Sequence, residues 1–344
     1  MNILLSSAGR RGYIVDYFKK ALNGEGLVHA SNSQFSTALL HADKYTITPL
    51  IYDEGYIDFL VNYAKKNDIK AIISLFDIDL PVLARSKEKM RQHGIEVIVS
   101  DYNVTQICND KWKTYTFLRQ NDIASPRTLI SLNDVLIALD KGDIRFPLVM
   151  KPRWGMGSIG FFVAERLSEL EIIYAKVQSA INTTYLKFES EVDIDHAVVI
   201  QEKLCGQEYG LDVINDLSSR YVASLVNRKT ALRYGDTDSA VTVKNDAICE
   251  LGMKLSSILK HVANLNVDCF QVDNVVYVLE MNCRIGGGYT FSHLAGADLP
   301  LAIIKWLRGQ VPEKELFEIE YGVEGAKDIT PIVLRKAGIS GLRQ

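Results

Sequence analysis

The sequence predicts an α/β unit on a parallel sheet followed by an α+β unit. Three observations predict it. Over the first hundred residues short apolar runs alternate with amphipathic stretches, the pattern of strands crossing over through helices. Around residue 101 the chain turns polar and helical. From Pro147 onward strand-like runs dominate and follow one another closely enough to pair as hairpins. A length of 344 residues, at about 150 per domain, leaves room for two domains and a small third lobe.

In the first unit, residues 2–6 read as a strand that ends in Ser7-Ala8-Gly9, and 12–22 carry helical spacing through Tyr13, Tyr17, Phe18 and Ala21. Residues 27–30, 71–75 and 95–99 are further strands, and 80–92 is a helix closed by Gly94. A parallel sheet binds ligands beyond the carboxyl ends of its strands, which directs attention to residues 6–12 and 76–79. Residues 101–120 read as one polar helix, broken by Ser125-Pro126. In the second unit the strands are 148–151, 160–164, 197–201, 209–214, 221–226, 267–272 and 275–281. The helices are 167–180, 247–262 and 301–308.

Composition excludes several classes. With 47% hydrophobic and 24% charged residues the chain is no disordered segment. The 39 Lys and Arg against 42 Asp and Glu leave a net charge of −3, which argues against nucleic acid as a partner. Five scattered cysteines (108, 205, 249, 269 and 283) without a C-x-x-C pair fit neither a disulfide framework nor a zinc ribbon. No apolar run reaches the ~20 residues that span a bilayer, and the start lacks the pattern of a signal peptide. The expectation is a cytoplasmic protein without a membrane partner.

Four segments carry chemistry. Lys151, at the end of an apolar strand, is followed by Gly155, Gly157 and Gly160 and then by another strand. This arrangement can fold as a flap whose backbone N–H groups approach phosphates while the lysine supplies charge. The plainer reading is a hairpin turn. Glu280, Asn282 and Arg284 alternate at the end of the apolar strand 275–279, so they share a face. Oxygen donors suit Mg²⁺, and an arginine beyond them suits a phosphoryl or carboxylate oxygen. The glycines at 286, 287 and 288 suggest close approach by a ligand. Asp268, on the preceding strand, faces Glu280 if the connection is Asp273 to Val275; a two-residue turn brings Gln271 to that face instead. In the fourth segment the strand ending at Gln201-Glu202-Lys203-Leu204 runs on to Gly206 and Glu208, a hinge suited to an adenine and its ribose.

In their order along the chain, with Asn109-Asp110-Lys111 ahead of them, these segments resemble the ATP-grasp superfamily. The likeness covers residues 1–310. It is closest to the carbamoyl-phosphate-synthase-like carboxylate–amine ligases with a single ATP-grasp unit, whose opening is similar to Ser7-Ala8-Gly9-Arg10-Arg11. It implies a Rossmann-like preATP-grasp domain over 1–100 and a two-lobed ATP-grasp fold over 101–310, with a small lobe at 111–200 and a large one at 201–310. Residues 311–344 form a C-terminal extension.

By that resemblance Lys111 and Lys151 contact phosphates and Gly155, Met156, Gly157 and Ser158 belong to the flap. Gln201, Glu202, Lys203 and Leu204 line the adenine, and Glu208 binds ribose. Asp268, Glu280 and Asn282 hold Mg²⁺, with Mn²⁺ as a substitute, and Arg284 meets the transferring phosphoryl group. Arg228 and Arg233 face the same site from a basic strand, with Arg233 counted among the catalytic residues beside Lys151 and Arg284. The acceptor pocket draws on Arg10, Arg11, Asp77 and the segment 286–293. Cys283 replaces the proline common in the family, and Asp268 stands where relatives carry Glu or Gln. The implied activity joins a small-molecule carboxylate to an amine through an acyl phosphate, at the expense of ATP, in a protein that can form a homodimer. Two alternatives are an ATP-binding protein without turnover and a nicotinamide-dependent oxidoreductase. The second lacks the G-x-G-x-x-G spacing.

Overall fold

The computed structural model describes residues 1–233 and 235–334. The first sheet contains β1 (Asn2–Ser6), β2 (Val28–Asn32), β3 (Lys44–Ile47), β4 (Ile69–Ser74) and β5 (Glu96–Ile98), all parallel, in the order β3-β2-β1-β4-β5. Helices α1 (Gly12–Leu22), α2 (Tyr56–Lys66) and α3 (Asp79–Arg91) cross between them. Both faces of β1 are covered, as its unbroken apolar run requires. Ile3 and Leu5 pack with Ile14, Val15 and Phe18 on one side, and Leu4 packs with Leu60, Ile72 and Leu83 on the other. From β1 the chain works outward to β3 and then returns to build β4 and β5 on the opposite side. The crevice at the ends of β1 and β4 is therefore a topological switch point. There Asp79 accepts hydrogen bonds from Ser6 (2.7 Å), Ser7 (3.1 Å), Ser74 (2.9 Å) and Tyr56 (2.8 Å), pinning the loops that leave the two strands.

The polar helix expected over 101–120 is two helices, α4 (Tyr102–Asn109) and α5 (Lys111–Gln120). Asp110 separates them in extended conformation and caps α5, accepting from the backbone N–H of Trp112 and Lys113. Next come β6 (Thr128–Leu129), α6 (Leu132–Asp140), β7 (Leu148–Pro152), β8 (Phe162–Ala164), α7 (Leu170–Asn182), α8 (Leu186–Ser190) and β9 (Val198–Glu202). Their four strands form an antiparallel sheet in the order β6-β9-β7-β8, covered by Val177, Ile181 and Leu186 of the helices.

The third sheet has six strands: β10 (Gln207–Asn215), β11 (Tyr221–Arg233), β12 (Asp236–Thr242), β13 (Asn264–Val272), β14 (Val275–Asn282) and β15 (Glu324–Ala326). Their order is β14-β13-β10-β11-β12-β15, all antiparallel. Helix α9 (Asp246–Leu259) packs on β10 and β11 and stops where Lys260 turns left-handed. Helices α10 (Tyr289–Leu294) and α11 (Leu299–Leu307) follow β14. The stretch beyond 310, which carries no motif, thus supplies an edge strand to this sheet. Among the described residues no helix is long and apolar enough to cross a membrane.

Candidate nucleotide and acceptor site

The connection between β13 and β14 has only two residues, Asp273 and Asn274, with Val272 opposite Val275. On the expected parity that turn brings Gln271 to the site face. The structure restores the other outcome by a bulge. Cys269 faces Val278 but Asp268 faces Glu280, so Leu279 is the extra residue and every pair beyond it shifts by one. Gln271 faces Val276 instead and accepts from Asn245 (3.0 Å). Asp268, Glu280, Asn282 and Arg284 then line one cavity of about 200 Å³. It merges with a second of about 310 Å³, because Met156, Gly157, Lys229, Gly235, Asp268 and Glu280 border both.

The larger cavity is floored by Lys151 and Lys111 and roofed by the loop between β7 and β8, from Gly155 through Ile159. That loop closes an antiparallel hairpin, as the plainer reading holds, and it also covers the cavity. Ser158 lies so close to Gly235 that a β-carbon there would fall 2.0 Å from its Oγ, so the flap rests on the turn between β11 and β12. Lys111 Nζ donates to the Gly155 carbonyl (2.6 Å) and stands 3.9 Å from Glu280. Its position is set by Asp110, whose carboxylate also receives a two-pronged bond from Arg153 (2.7 and 2.8 Å). This link between the start of α5 and the base of the flap is not visible in the sequence, because the partners are 43 residues apart.

Lys151 is buried at the end of β7, and burial pulls its ammonium down to about 8. Glu280 opposes that shift and Lys111 adds to it. A third lysine of the cleft is Lys229 on β11. It donates to Glu208 (2.7 Å) and to Asp268 (2.5 Å); burial works against its charge, yet the two carboxylates, Asp268 foremost, outweigh burial and raise its pKa. Sequence reading chose its neighbours. Arg228 is exposed, and Arg233 is exposed and paired with Asp238 (3.1 Å); neither borders the cavities. Strand alternation explains the miss at Arg228, since only one side of β11 faces the cleft. Burial of a lone lysine between two acids is a tertiary signal.

The hinge divides. Glu208 lines the larger cavity, whereas Gln201, Glu202, Lys203 and Leu204 do not. Gln201 donates to Thr128 (2.8 Å) and keeps a buried Oε1 without a partner, Glu202 accepts from the Arg145 backbone (2.9 Å), and Lys203 is exposed. Ile159, Phe161, Phe270 and Leu279 give that cavity apolar walls, which strand patterning alone did not single out.

At the other end of the cleft the Arg284 side chain is buried and held by Asp77, which accepts from Nε (2.9 Å) and Nη2 (2.7 Å). Burial disfavours its charge, but Asp77 more than compensates and raises its pKa. Arg11 borders the same cavity; Arg10 is exposed and does not. The segment 286–293 is not a free loop, because α10 begins at Tyr289, and His293 stacks on Tyr17 (3.7 Å between rings) outside the cavity lining. The close approach at Gly286 and Gly287 is by the protein's own Asn266 and Asp236, which a β-carbon would meet at about 2.4 Å; at Gly288, which borders the cavity with Gly287, the nearest atoms, of Asn266 and Thr237, stand at 3.9 Å. Beneath them Asp212 is fully buried, receives bonds from Asn264 and Asn266, and is raised by burial to about 6.

For a divalent metal the donor set is two carboxylates and an amide. Among the described residues no group of three or more His, Cys, Asp or Glu forms a closed cage. Two carboxylates and an amide are donors of the kind Mg²⁺ takes, since it binds through one or two carboxylates and completes its shell with water and phosphate. In the protein alone the two carboxylates lean on Lys229 and Lys111 as counter-charges.

Comparison with known proteins agrees with this geometry. Residues 3–98 match the family model of the PylC-like N-terminal domain, and residues 195–327 match that of the ATP-grasp in the biosynthetic pathway with Ter operon. The carbamoyl phosphate synthase large chain of Pseudothermotoga lettingae is 23% identical over 270 residues, 75% of this chain and 22% of its own. The chain therefore spans about a fifth of that relative's length. The L-amino acid ligase of Bacillus licheniformis has the same fold, with a TM-score of 0.72 at 19% identity, covering 96% of this chain and 81% of that one. So does the biotin carboxylase domain of Hydrogenobacter thermophilus 2-oxoglutarate carboxylase, seen with MgADP and bicarbonate, with a TM-score of 0.72 at 14% identity over 94% and 73%. Its two family models, its relatives and its fold thus make the chain similar to the carbamoyl-phosphate-synthase-like proteins of the ATP-grasp superfamily.

Proposed function

We propose that the protein is an ATP-dependent carboxylate–amine ligase. The observation that carries this reading is the convergence of Lys151, Lys111, the flap and the Asp268–Glu280–Asn282–Arg284 set on one continuous cleft. In this reading residues 1–100 supply the acceptor-side loops, 101–310 the nucleotide grip, and the stretch from 311 an edge of the large lobe. The apolar walls take the base, Glu208 the ribose, and Lys111 and Lys151 the phosphates beneath the flap. Asp268, Glu280 and Asn282 hold Mg²⁺, which supplies charge neutralisation at the transferring phosphoryl group.

A substrate carboxylate held at Arg284 attacks the γ-phosphorus of ATP, forming the acyl phosphate and releasing ADP. An amine then attacks the acyl carbon and expels phosphate, giving the amide. No side-chain nucleophile is needed; the protein positions the reactants and balances charge. Arg284 gains directional hold from Asp77, and among the described residues the buried Lys151 has no carboxylate within ion-pair distance to compete with a phosphate.

ADP release over a panel of acids and amines tests the reading. Acid-dependent ADP formation is expected, with a loss of about 100-fold or more in Glu280→Gln, which removes one unit of metal-binding charge. Turnover unchanged in that variant refutes the assignment, and MgATP binding with no acid-dependent turnover leaves a nucleotide-binding protein instead.

A further inference from the structure

Most cations along the cleft already have a carboxylate. Lys229 has Glu208 and Asp268, Lys111 has Glu280, Arg284 has Asp77, and Lys327 holds Asp236 (2.6 Å) from behind. Among the described residues two lining cations have none within 4.0 Å: Lys151 at the nucleotide end and Arg11 at the acceptor end. Arg11 Nη1 donates to the carbonyls of Leu75 (2.5 Å) and Ile285 (3.2 Å), which fixes the guanidinium between the end of β4 and the glycine run. Neither acceptor carries a full negative charge. Burial, and after it the nearby Arg284, lower the Arg11 pKa, the mark of a cation short of an anion. Helix α1 begins beside it at Gly12 with no side-chain cap and no acid in its first turn, so its positive end adds to the same field.

We propose that the acid substrate carries a second anionic group and that Arg11 binds it, while the reacting carboxylate lies at Arg284. The inference rests on the ligase reading for the role of Arg284. The lining carboxylates are otherwise engaged: Asp236 by Lys327, Asp268 by Lys229, and Glu280 beside Lys111. The pocket therefore offers a spare cation and no spare anion, which favours a short dianionic acid over a neutral or cationic one. A carboxylate and a phosphate both suit a guanidinium fork.

The test compares succinate, glutarate and phosphoglycolate with butyrate and valerate as acids for ADP release by the full chain with MgATP and excess ammonium or glycine. Dianions are expected to have KM values about 10- to 100-fold below the monoanions, the range of one charged hydrogen-bonded contact. The dicarboxylates and phosphoglycolate, whose phosphate carries up to two charges of its own, distinguish carboxylate from phosphate as the second group. Arg11→Met should raise KM for the preferred dianion by about that factor, beyond any change for the monoanions, and Arg11→Lys should recover part of it. Equal use of monoanions and dianions by the unaltered protein overturns the inference and leaves the ligase reading standing; this arm needs no variant to fold.

If no acid drives ADP release, calorimetry of succinate and phosphoglycolate on the MgADP-loaded protein decides. Binding that Arg11→Met weakens supports the anion site while the ligase reading fails. Absence of binding overturns the site. The same titration with MgATP shows whether each variant retains a folded nucleotide end.

Discussion

Replacing Lys151 with methionine should abolish nucleotide binding and yet make the protein more stable. The side chain is buried at the end of β7 and, among the described residues, has no carboxylate within ion-pair distance. Burial moves its pKa from 10.5 to about 8. At about 1.4 kcal/mol per unit, the charged lysine costs the folded state about 3 kcal/mol. The sign follows from proton counts. Between pH 8 and 10.5 the unfolded lysine holds its proton and the folded one does not, so stability rises with pH through that window. The penalty is complete below 8 and gone above 10.5. Methionine keeps an unbranched stem of similar length without the charge. Urea titration at pH 7 should show Lys151→Met ahead by about 2–3 kcal/mol, and at pH 10.5 by less than about 1 kcal/mol. MgATP should protect the unaltered protein and not the variant. An advantage that stays constant between pH 7 and 10.5, or a variant weaker at pH 7, refutes the claim that this lysine is held charged against its surroundings for an incoming phosphate.

Asp77→Asn removes the charge that fixes Arg284; kcat/KM for acid-dependent ADP release should fall about 10- to 100-fold, measured beside an unchanged MgATP affinity. Asp79→Ala leaves the hydroxyls of Ser6, Ser7, Ser74 and Tyr56 without their shared acceptor. A loss of about 2–4 kcal/mol in urea unfolding is expected, with Asp79→Asn milder. Asp212 sits at about 6 instead of 3.8 because it is buried, so the folded state binds more protons between those values and its contribution to stability falls as pH rises from 4 to 6. Asp212→Asn, whose Oδ1 can still accept from Asn264 and Asn266, should lose that slope and gain about 1–2 kcal/mol at pH 7 by urea titration.

Much of the fold is local in origin and could be read from the chain. The apolar runs that became β1, β2, β4 and β5, the spacing of α1 and α3, and the crossover pattern are consequences of periodicity and turn residues acting within about twenty positions. Strand β3 escaped notice because Lys-Tyr-Thr-Ile is short, half exposed and at an edge, so burial left little imprint on it. The junction at Asp110 looked like helix because a cap and a helical interior differ in one residue's backbone angles.

Within the site, the glycine flap, Lys151, and the alternation of Glu280, Asn282 and Arg284 were legible because each is a feature of a single element. Pairings between elements were not. The choice between Asp268 and Gln271 hung on one extra residue at Leu279, and a bulge is decided by packing of a strand against its sheet, which short-range pattern does not encode. Lys229 differs from Arg228 only in the side of β11 on which it lies.

Sequence by itself determined most of the strands and helices, the order of the glycine loop, the Gln201–Glu208 segment and the Glu280–Arg284 alternation, and the oxygen-and-guanidinium chemistry they offer. Tertiary structure alone decided which charges are neutralised. Ion pairs form between residues brought together from distant parts of the chain: Arg284 with Asp77, Lys229 with Asp268, Lys327 with Asp236. Which cleft cations are left without a carboxylate among the described residues, Lys151 at one end and Arg11 at the other, is a property of the whole assembly of elements, because Coulomb energies depend on distance and burial and not on position in the chain.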